Sequence, residues 1–243
     1  MMNDTENKLF KMNDAEPNAL SDVSDDSDTQ IYEQTIHFVH AYKNASGRKK
    51  IFALSLAMIA SILGIFLCFL MFQLSGWFFI TIFIMIILLC VAIVDYFTTE
   101  IPNLFIYLLI LSAFFIIFLQ IYNFHGIYTG FELVLSAITP HIIGFFVISV
   151  PMLLLALIKN GAFGGGDIKL MAAVGLMLGW QHIILAFFMA LLIGGLYAAL
   201  LLVSKRRDRK DMMVFGPALC VGIFVSMLYG DIIINWYLRL FYV

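Results

Sequence analysis

The chain has 243 residues, of which 63% are hydrophobic and 12% are charged. Soluble domains are about half apolar and a quarter charged, so this composition indicates an integral membrane protein. It excludes a soluble enzyme, a nucleic-acid-binding protein and a disordered scaffold as descriptions of the whole chain. The net charge of -2 is unevenly distributed, because residues 1–33 hold nine acidic side chains and only two basic ones, Lys8 and Lys11.

The N-terminal region, residues 1–50, is predicted to be an acidic and mostly disordered cytoplasmic tail. Its first 30 residues are rich in Asp, Ser and Asn and have too few apolar side chains to offset the entropy of ordering. Apolar residues between Ile31 and Tyr42 predict a short interfacial helix ahead of the basic cluster at 48–50. The polar start does not resemble a cleavable signal peptide, so we expect the first span to remain in the protein as an anchor.

Residues 51–243 are predicted to form an all-α, polytopic membrane domain with six to seven transmembrane helices. A membrane helix needs about 20 apolar residues to cross roughly 30 Å of hydrocarbon. Six segments approach or exceed this length: 51–73, 77–94, 104–122, 133–158, 183–203 and 213–230. A shorter apolar stretch from Asp167 to Gly179 crosses only if it tilts or if its ends are buried in protein. Counting it gives seven crossings.

The basic residues predict the orientation of these spans. With the N-terminus in the cytoplasm, the inner side receives three basic groups, at 43–50, 159–169 and 205–210. The predicted outer connections contain no basic residue, and only Arg239 falls on the outer side. The three tryptophans then lie near the outer interface, where both the apolar ring and the N–H are accommodated: Trp77, Trp180 and Trp236.

Three acidic residues are predicted at the cytoplasmic ends of spans: Asp95, Glu100 and Asp167. Acidic side chains at such positions are costly unless they face a wet cavity or a partner, which makes them candidate functional residues. The alternative is that they mark helix ends in the interface. For Glu100, a solvated turn is the simpler interpretation.

Asp167 directly follows a glycine-rich stretch, Gly161-Ala162-Phe163-Gly164-Gly165-Gly166. Because glycine has no Cβ, another part of the chain can lie against this loop without meeting a side chain. The acid would stand at a helix N-terminus, where free N–H groups stabilise its ionised form. Alternatively, the glycines serve only a tight turn or close helix packing.

Two aspartates from different spans at the same membrane depth suggest a catalytic pair. If the carboxyl groups of Asp95 and Asp167 come within hydrogen-bonding range, they cannot both ionise cheaply and would titrate as a coupled unit. One carboxylate would then accept a proton from water while the other carboxyl group donates to a carbonyl oxygen, as in aspartic proteases.

No other side-chain constellation competes with this pair. The cysteines lie apart in apolar segments and form no CxxC pair, so neither a zinc site nor a disulfide framework is indicated: Cys68, Cys90 and Cys220. The five histidines are scattered and are predicted to be structural. Because two aspartates supply too few ligands for a closed metal site, we expect no metal and no other cofactor, although Glu100 offers a third carboxylate that keeps a metal site open.

Three motifs occur in order along the chain: Asp95 seven residues before Pro102-Asn103, Gly164-Gly165-Gly166-Asp167 with Lys169 two positions on, and Phe215-Gly216-Pro217. As a set, and over roughly residues 51–230, they resemble the type IV prepilin peptidases, the bacterial branch of the GxGD membrane aspartyl proteases.

The resemblance implies that Asp95 and Asp167 are the two catalytic aspartates. It implies loop or substrate-positioning roles for the other matching residues: Pro102, Asn103, Gly164, Gly165, Gly166, Lys169, Phe215, Gly216 and Pro217. Lys169 suits a positive-inside anchor equally well, and Gly216-Pro217 also suits a helix start.

The resemblance further implies a multi-pass protein of the bacterial cytoplasmic (inner) membrane that removes the short basic leader from prepilin or pseudopilin precursors. Larger members carry an insert with two CxxC pairs, associated with methylating the new N-terminus. Nothing here corresponds to it, so we expect cleavage without methylation. The expected partners are the precursor and the lipid bilayer, with no nucleic acid, and the sequence leaves open whether the protein forms a homo-oligomer.

Two other functions stay open at this point. Pro217-Ala218-Leu219 spells the PAL motif of the presenilin and signal-peptide-peptidase branch, although the residues around Asp95 suit the prepilin branch better. Alternatively, Asp95, Glu100 and Asp167 would form a cation or proton site of a transporter. The outer halves of the spans carry no charged residue that would continue such a path.

Overall fold

The computed structural model describes residues 26–123, 131–159, 163–203 and 215–241. The acidic tail before residue 26, most of the predicted outer connection at 123–132 and the basic cluster at 205–210 therefore lie outside the described residues. Over the described ranges the chain is helical and contains no strand. The prediction of an all-α polytopic protein is confirmed.

Nine helices follow one another in the described part of the chain. They are α1 (Asp26–Asn44), α2 (Gly47–Phe72), α3 (Gly76–Thr98), α4 (Asn103–Asn123), α5 (Phe131–Val147), α6 (Ser149–Ile158), α7 (Gly165–Leu178), α8 (Trp180–Val203) and α9 (Gly216–Phe241).

Six segments within these helices are long and apolar enough to cross a membrane. Five of them belong to α2, α3, α4, α8 and α9. The sixth, Leu135–Ile158, runs through α5 and α6. Pro151 has no N–H to donate to the carbonyl of Val147, so the helical hydrogen bonding is interrupted between the two helices. The hydroxyl of Ser149 donates instead to the carbonyl of Phe145.

The short apolar stretch that begins at Asp167 forms α7, which has 14 residues and a length of about 21 Å. Its start lies beside the end of α3, because Asp167 and Asp95 line one cavity. Its end lies beside the middle of α5, where a Cβ at Gly179 would lie 3.6 Å from the carbonyl oxygen of Pro140. Most of its residues from Leu170 to Met177 are buried by neighbouring helices. This helix is not among the six that are long enough to span a membrane, so a seventh crossing stays a prediction.

The backbones of α5 and α7 touch at two glycines. A Cβ at Gly175 would overlap the carbonyl of Gly144, and a Cβ at Gly144 would overlap the carbonyl of Gly175. Without side chains the two helices pack at backbone contact, which is a common way of joining helices in lipid. This contact fixes the height of α7 relative to α5.

His141 ties the same region together through polar contacts. Its ring is 4% exposed. Nδ1–H donates to the carbonyl of Leu176 on α7 at 2.8 Å, and Nε2 lies 2.9 Å from the carboxamide of Gln120 on α4. A buried imidazole with both ring nitrogens engaged has a structural role, as predicted for the histidines.

Several predicted helix boundaries were wrong. The last helix was expected at 213–230 but begins at Gly216 and continues to Phe241. Gly230-Asp231 does not end it, because Gly230 leaves room for the His182 ring and His182 Nε2 lies 3.3 Å from Asp231 Oδ1. The fifth long helix was expected from 183 but begins at Trp180, since only Gly179 separates it from α7.

We predict that Gly175→Ala and Gly144→Ala each destabilise the protein by about 1–3 kcal/mol, because the added methyl group forces two backbones apart. The measurement is the midpoint of thermal unfolding in detergent. Gly195→Ala is the matched control, since a Cβ at Gly195 meets no atom within 4 Å and alanine is the better helix former. If all three variants unfold at the same temperature, the Gly144–Gly175 contact between α5 and α7 does not contribute to stability.

Candidate active site

Asp95 and Asp167 line one cavity of about 240 Å³ at the end of the bundle where α3 stops and α7 starts. Asp95 lies in the last turn of α3 and is 5% exposed. Asp167 lies in the first turn of α7 and is half-buried. The two carboxyl groups are near enough for their like charges to interact.

The turn between α3 and α4 forms one wall of the cavity. Thr99 ends α3 in the left-handed region, with φ of 56°, and its N–H donates to the carbonyl of Asp95 at 2.8 Å. The Thr98 hydroxyl donates to the carbonyl of Val94 at 2.8 Å and accepts the N–H of Glu100 at 3.3 Å. A β-branched residue rarely adopts positive φ, so surrounding contacts hold this turn in place.

The glycine-rich loop lies against that turn. A Cβ at Gly166 would stand 3.0 Å from the Ile101 Cβ and 3.3 Å from its backbone nitrogen, so the close approach requires glycine. Gly164 precedes α7 in an extended conformation, and its backbone N–H donates to the carboxylate of Asp167. Gly165 faces open space. The loop therefore positions Asp167 through its backbone.

The start of α9 supports Asp95 from the other side. A Cβ at Gly216 would overlap the Asp95 carboxylate, so glycine is required for the observed fit. Phe215 packs against Phe163, with ring centroids 6.0 Å apart, which joins α9 to the glycine-rich loop. Among the described residues, Asp95 Oδ2 has no hydrogen-bond partner although it is buried.

The other sequence-predicted residues divide into two groups. Gly164, Gly165, Gly166, Asn103 and Lys169 line the cavity with the two aspartates. The Lys169 ammonium donates to Asn103 Oδ1 at 3.3 Å, which links α7 to α4.

Pro102, Phe215, Gly216 and Pro217 are not among the residues that line this cavity, although Gly216 packs on the Asp95 carboxylate. Pro102 instead accepts the N–H of Phe105 at 3.2 Å as α4 begins. Pro217 lines a separate apolar groove between α2, α3 and α9. Glu100, predicted as a solvated turn residue, is exposed and lines the cavity as well.

Sequence reasoning missed Gln34 and Thr99, which also line the cavity. Gln34 shares one face of α1 with Phe38 and Tyr42, at i, i+4 and i+8. That stripe was the available indication that this face packs on the protein. The positive φ of Thr99 has no comparable pattern in the sequence.

The cavity groups the side chains needed for acid and base chemistry. Two carboxyl groups in one partly buried space favour a state in which one is ionised and one is protonated. Among the described residues that line the cavity, none is a serine, cysteine or histidine. A water molecule between the carboxyl groups would be the nucleophile that such a pair can activate.

We predict that Thr99→Gly raises the midpoint of thermal unfolding, because glycine adopts positive φ without the penalty of about 1–3 kcal/mol that a non-glycine residue carries there. Thr98→Gly is the control at the neighbouring position and should lower the midpoint, since it removes two hydrogen bonds. A lower midpoint for Thr99→Gly would mean that its side chain holds the turn.

The sequence around this site is similar to that of known proteins. Residues 82–199 match the model of the type IV leader peptidase family. The prepilin leader peptidase/N-methyltransferase of Bacillus subtilis (strain 168) is 41% identical over 86 residues, 35% of this chain and 35% of the relative. The protein of the same name from Legionella pneumophila is 36% identical over 75 residues, 31% of this chain and 26% of the relative.

A longer match, to the Stutzerimonas stutzeri protein of that name, is 28% identical over 120 residues, 49% of this chain and 40% of the relative. The matched part of the chain thus spans less than half the length of these three relatives. No solved structure matches the chain. The family match contains both aspartates and the glycine run between α6 and α7. Residues 82–199 of this chain are therefore similar to the type IV leader peptidase family.

Proposed function

We propose that this protein is a membrane aspartic endopeptidase that removes the leader from prepilin-like precursors. The observation that carries the proposal is the shared cavity of Asp95 and Asp167 within the family-matched segment. The names of the relatives, prepilin leader peptidase/N-methyltransferase, supply the proposed reaction and substrate class.

The proposed chemistry uses the pair as acid and base. The ionised carboxylate takes a proton from water, and the oxygen of that water bonds to the carbonyl carbon of the scissile peptide. The protonated carboxyl group donates to the carbonyl oxygen as the tetrahedral intermediate forms. The C–N bond then breaks, and the leaving nitrogen takes a proton from the pair. One water is consumed, and a carboxyl group and an amine are produced.

Gly216 is proposed to set the orientation of Asp95 in this reaction. Because Gly216 packs directly on the Asp95 carboxylate, the side chain has little room to rotate. Asp167 is held separately, by the backbone of Gly164. A pair whose two members are each fixed by backbone contacts is preorganised for the reaction.

We propose that the site faces the cytoplasm of the bacterial inner membrane. Lys43, Lys50 and Lys169 belong to the end of the bundle that holds the cavity, since α1 packs on the end of α3 and Lys169 lines the cavity. Trp77 and Trp180 begin helices at the opposite end and are about 40% exposed. Lysines inside and exposed tryptophans outside follow the usual charge and aromatic distribution of membrane proteins.

We also propose that the product keeps an unmethylated N-terminus. The chain has three cysteines and no CxxC pair. All three lie within membrane helices: Cys68 on α2, Cys90 on α3 and Cys220 on α9. They cannot form the paired CxxC insert that the resemblance associates with methyl transfer.

Asp95→Asn and Asp167→Asn should each reduce prepilin cleavage by at least about a hundredfold, because the amide keeps the shape but removes the acid or base. The assay is co-expression with a prepilin in membranes, followed by gel shift and mass of the product. Asp231→Asn is the control, since the Asp231 side chain is 88% exposed and pairs with His182.

Normal cleavage by either of the first two variants would refute the two-aspartate mechanism. If the wild type leaves prepilins intact but cuts a signal-peptide remnant, the intramembrane-protease alternative is correct. Intact substrates throughout, with proton or cation flux lost in the variants, would identify a transporter.

Gly216→Ala should lower kcat for cleavage by about a hundredfold, because the new methyl group displaces the Asp95 carboxylate by an ångström or more. KM should change little. The control is Gly195→Ala, where the methyl group meets open space. A variant with normal kcat would show that Asp95 tolerates displacement, and with it that α9 does not orient the pair.

A further inference from the structure

Helix α1 lies outside the family-matched segment but reaches the catalytic cavity. Its stripe of Gln34, Phe38 and Tyr42 faces the end of α3. Phe38 and Tyr42 pack edge-on against Phe97, with ring centroids 6.4 and 5.4 Å apart. Phe97 follows Asp95 by two residues. The aromatic contacts therefore place α1 beside the aspartates.

Two contacts hold the end of α1 against the start of α2. The Lys50 ammonium lies 4.7 Å from the centroid of the Tyr42 ring, and it donates to the carbonyl of Lys43 at 3.1 Å. A cation over an aromatic ring is a favourable contact. Together with Phe97, these contacts fix the direction in which Gln34 projects.

Gln34 contacts the site through the oxygen of its carboxamide. Its Oε1 accepts the backbone N–H of Asn103 at 3.3 Å, at the start of α4. Because a backbone N–H only donates, the oxygen must face Asn103, which leaves the two N–H donors of Nε2 on a side chain that lines the cavity.

Hydrogen-bond donors are what a peptide needs in this cavity. Asp95, Glu100 and Asp167 contribute carboxyl groups, which accept hydrogen bonds when ionised. The one proton shared by the catalytic pair is committed to the scissile carbonyl. Carbonyls on either side of that bond lose water on entry and require other donors.

Gln34 and the first turn of α7 face the cavity from different elements. Gly165 and Gly166 lie at the start of α7, where backbone N–H groups have no partner within the helix. Gln34 belongs to α1, which packs on α3. A peptide bound in this cavity would meet both sets of donors, together with the Lys169 ammonium, which also lines the cavity.

Resting on the function proposed above, we infer that Gln34 is a substrate-binding residue: its carboxamide N–H groups donate to backbone carbonyls of the precursor beside the scissile bond. The helix α1 is then part of the substrate site, although it precedes the family-matched segment. Precursor recognition by this chain uses an element that the match to residues 82–199 does not include.

Two variants of full-length protein separate this role from a structural one. Gln34→Glu keeps the acceptor for Asn103 but removes both N–H donors. Gln34→Met removes donors and acceptor without adding charge. Gln34→Met should raise KM for a prepilin about three- to tenfold, the effect of one ordinary hydrogen bond, with kcat within about twofold. Gln34→Glu should raise KM at least as much, and its added charge beside the aspartates also affects kcat. The thermal midpoint of Gln34→Glu should match the wild type.

The control for the chemical change is Gln181→Glu, at an exposed position near the start of α8. The control for α1 is Val39→Ala, since Val39 is 54% exposed. Both should keep the wild-type KM. Phe38→Ala should raise KM as Gln34→Met does, because Phe38 positions the helix that carries Gln34. The double variant should raise KM no further, since both changes act through the Gln34 side chain.

The inference is overturned if Gln34→Glu or Gln34→Met cleaves with the wild-type KM, or if the effects of Phe38→Ala and Gln34→Met multiply. It is also overturned if KM rises only where the thermal midpoint falls, since Gln34 would then merely support α4. These results require a wild type that cleaves the prepilin. A wild type without cleavage refutes the proposed function itself, so the two failures are distinct.

Discussion

Helices in a bilayer gain little from burying apolar surface against one another, so their association depends on how closely their backbones approach. Glycine provides that approach at several places in the described residues, and three of these contacts bear on the position of the site. Gly144 and Gly175 bring α5 against α7, Gly166 receives Ile101, and Gly216 receives the Asp95 carboxylate. The first contact sets the height of α7, and the other two lie at the cavity. The relative position of the two aspartates therefore depends on glycines, whose lack of a side chain allows these close contacts.

The chemistry proposed for the cavity needs surroundings that permit one negative charge and disfavour two. Asp95 is buried, and its Oδ2 has no hydrogen-bond partner in the described part of the chain. Burial destabilises a carboxylate in that position, the backbone N–H of Gly216 offsets part of this cost, and the charge of Asp95 repels that of Asp167. The site nevertheless remains open on the side of Glu100 and Thr99, which are exposed. Water and a peptide can thus reach the two aspartates from that side, whereas protein covers them on the others.

Composition and apolar length were enough to predict the all-α membrane fold, because a lipid-facing helix must be apolar along its whole length. The ends of the helices were harder to predict. Gly230-Asp231 has the sequence of a helix end, yet a side chain from another helix, His182, makes continuation favourable. Such tertiary contacts leave no trace in a window of neighbouring residues.

The candidate site was predicted in the same uneven way. The motifs around Asp95, the glycine run and Phe215-Gly216-Pro217 identified the residues that meet near the cavity, since each motif has a characteristic spacing. The motifs could not show that Pro217 lines a separate apolar groove. Its neighbour Gly216, in contrast, packs against Asp95. The motifs did not identify Gln34, because nothing in the sequence distinguishes one glutamine on a polar helix. Its position at the cavity follows only from the packing of α1 on α3.

The connection between α7 and α8 has a consequence for the length of the chain. Gly179, with φ of 82°, is the only residue between them, so this joint has no slack to absorb an insertion or a deletion. One residue added within α7 would turn everything before it by about 100° relative to everything after it. Asp167 would then leave the cavity while Gly175 stayed against Gly144. The number of residues between Asp167 and Gly179 is therefore as tightly constrained as their identity.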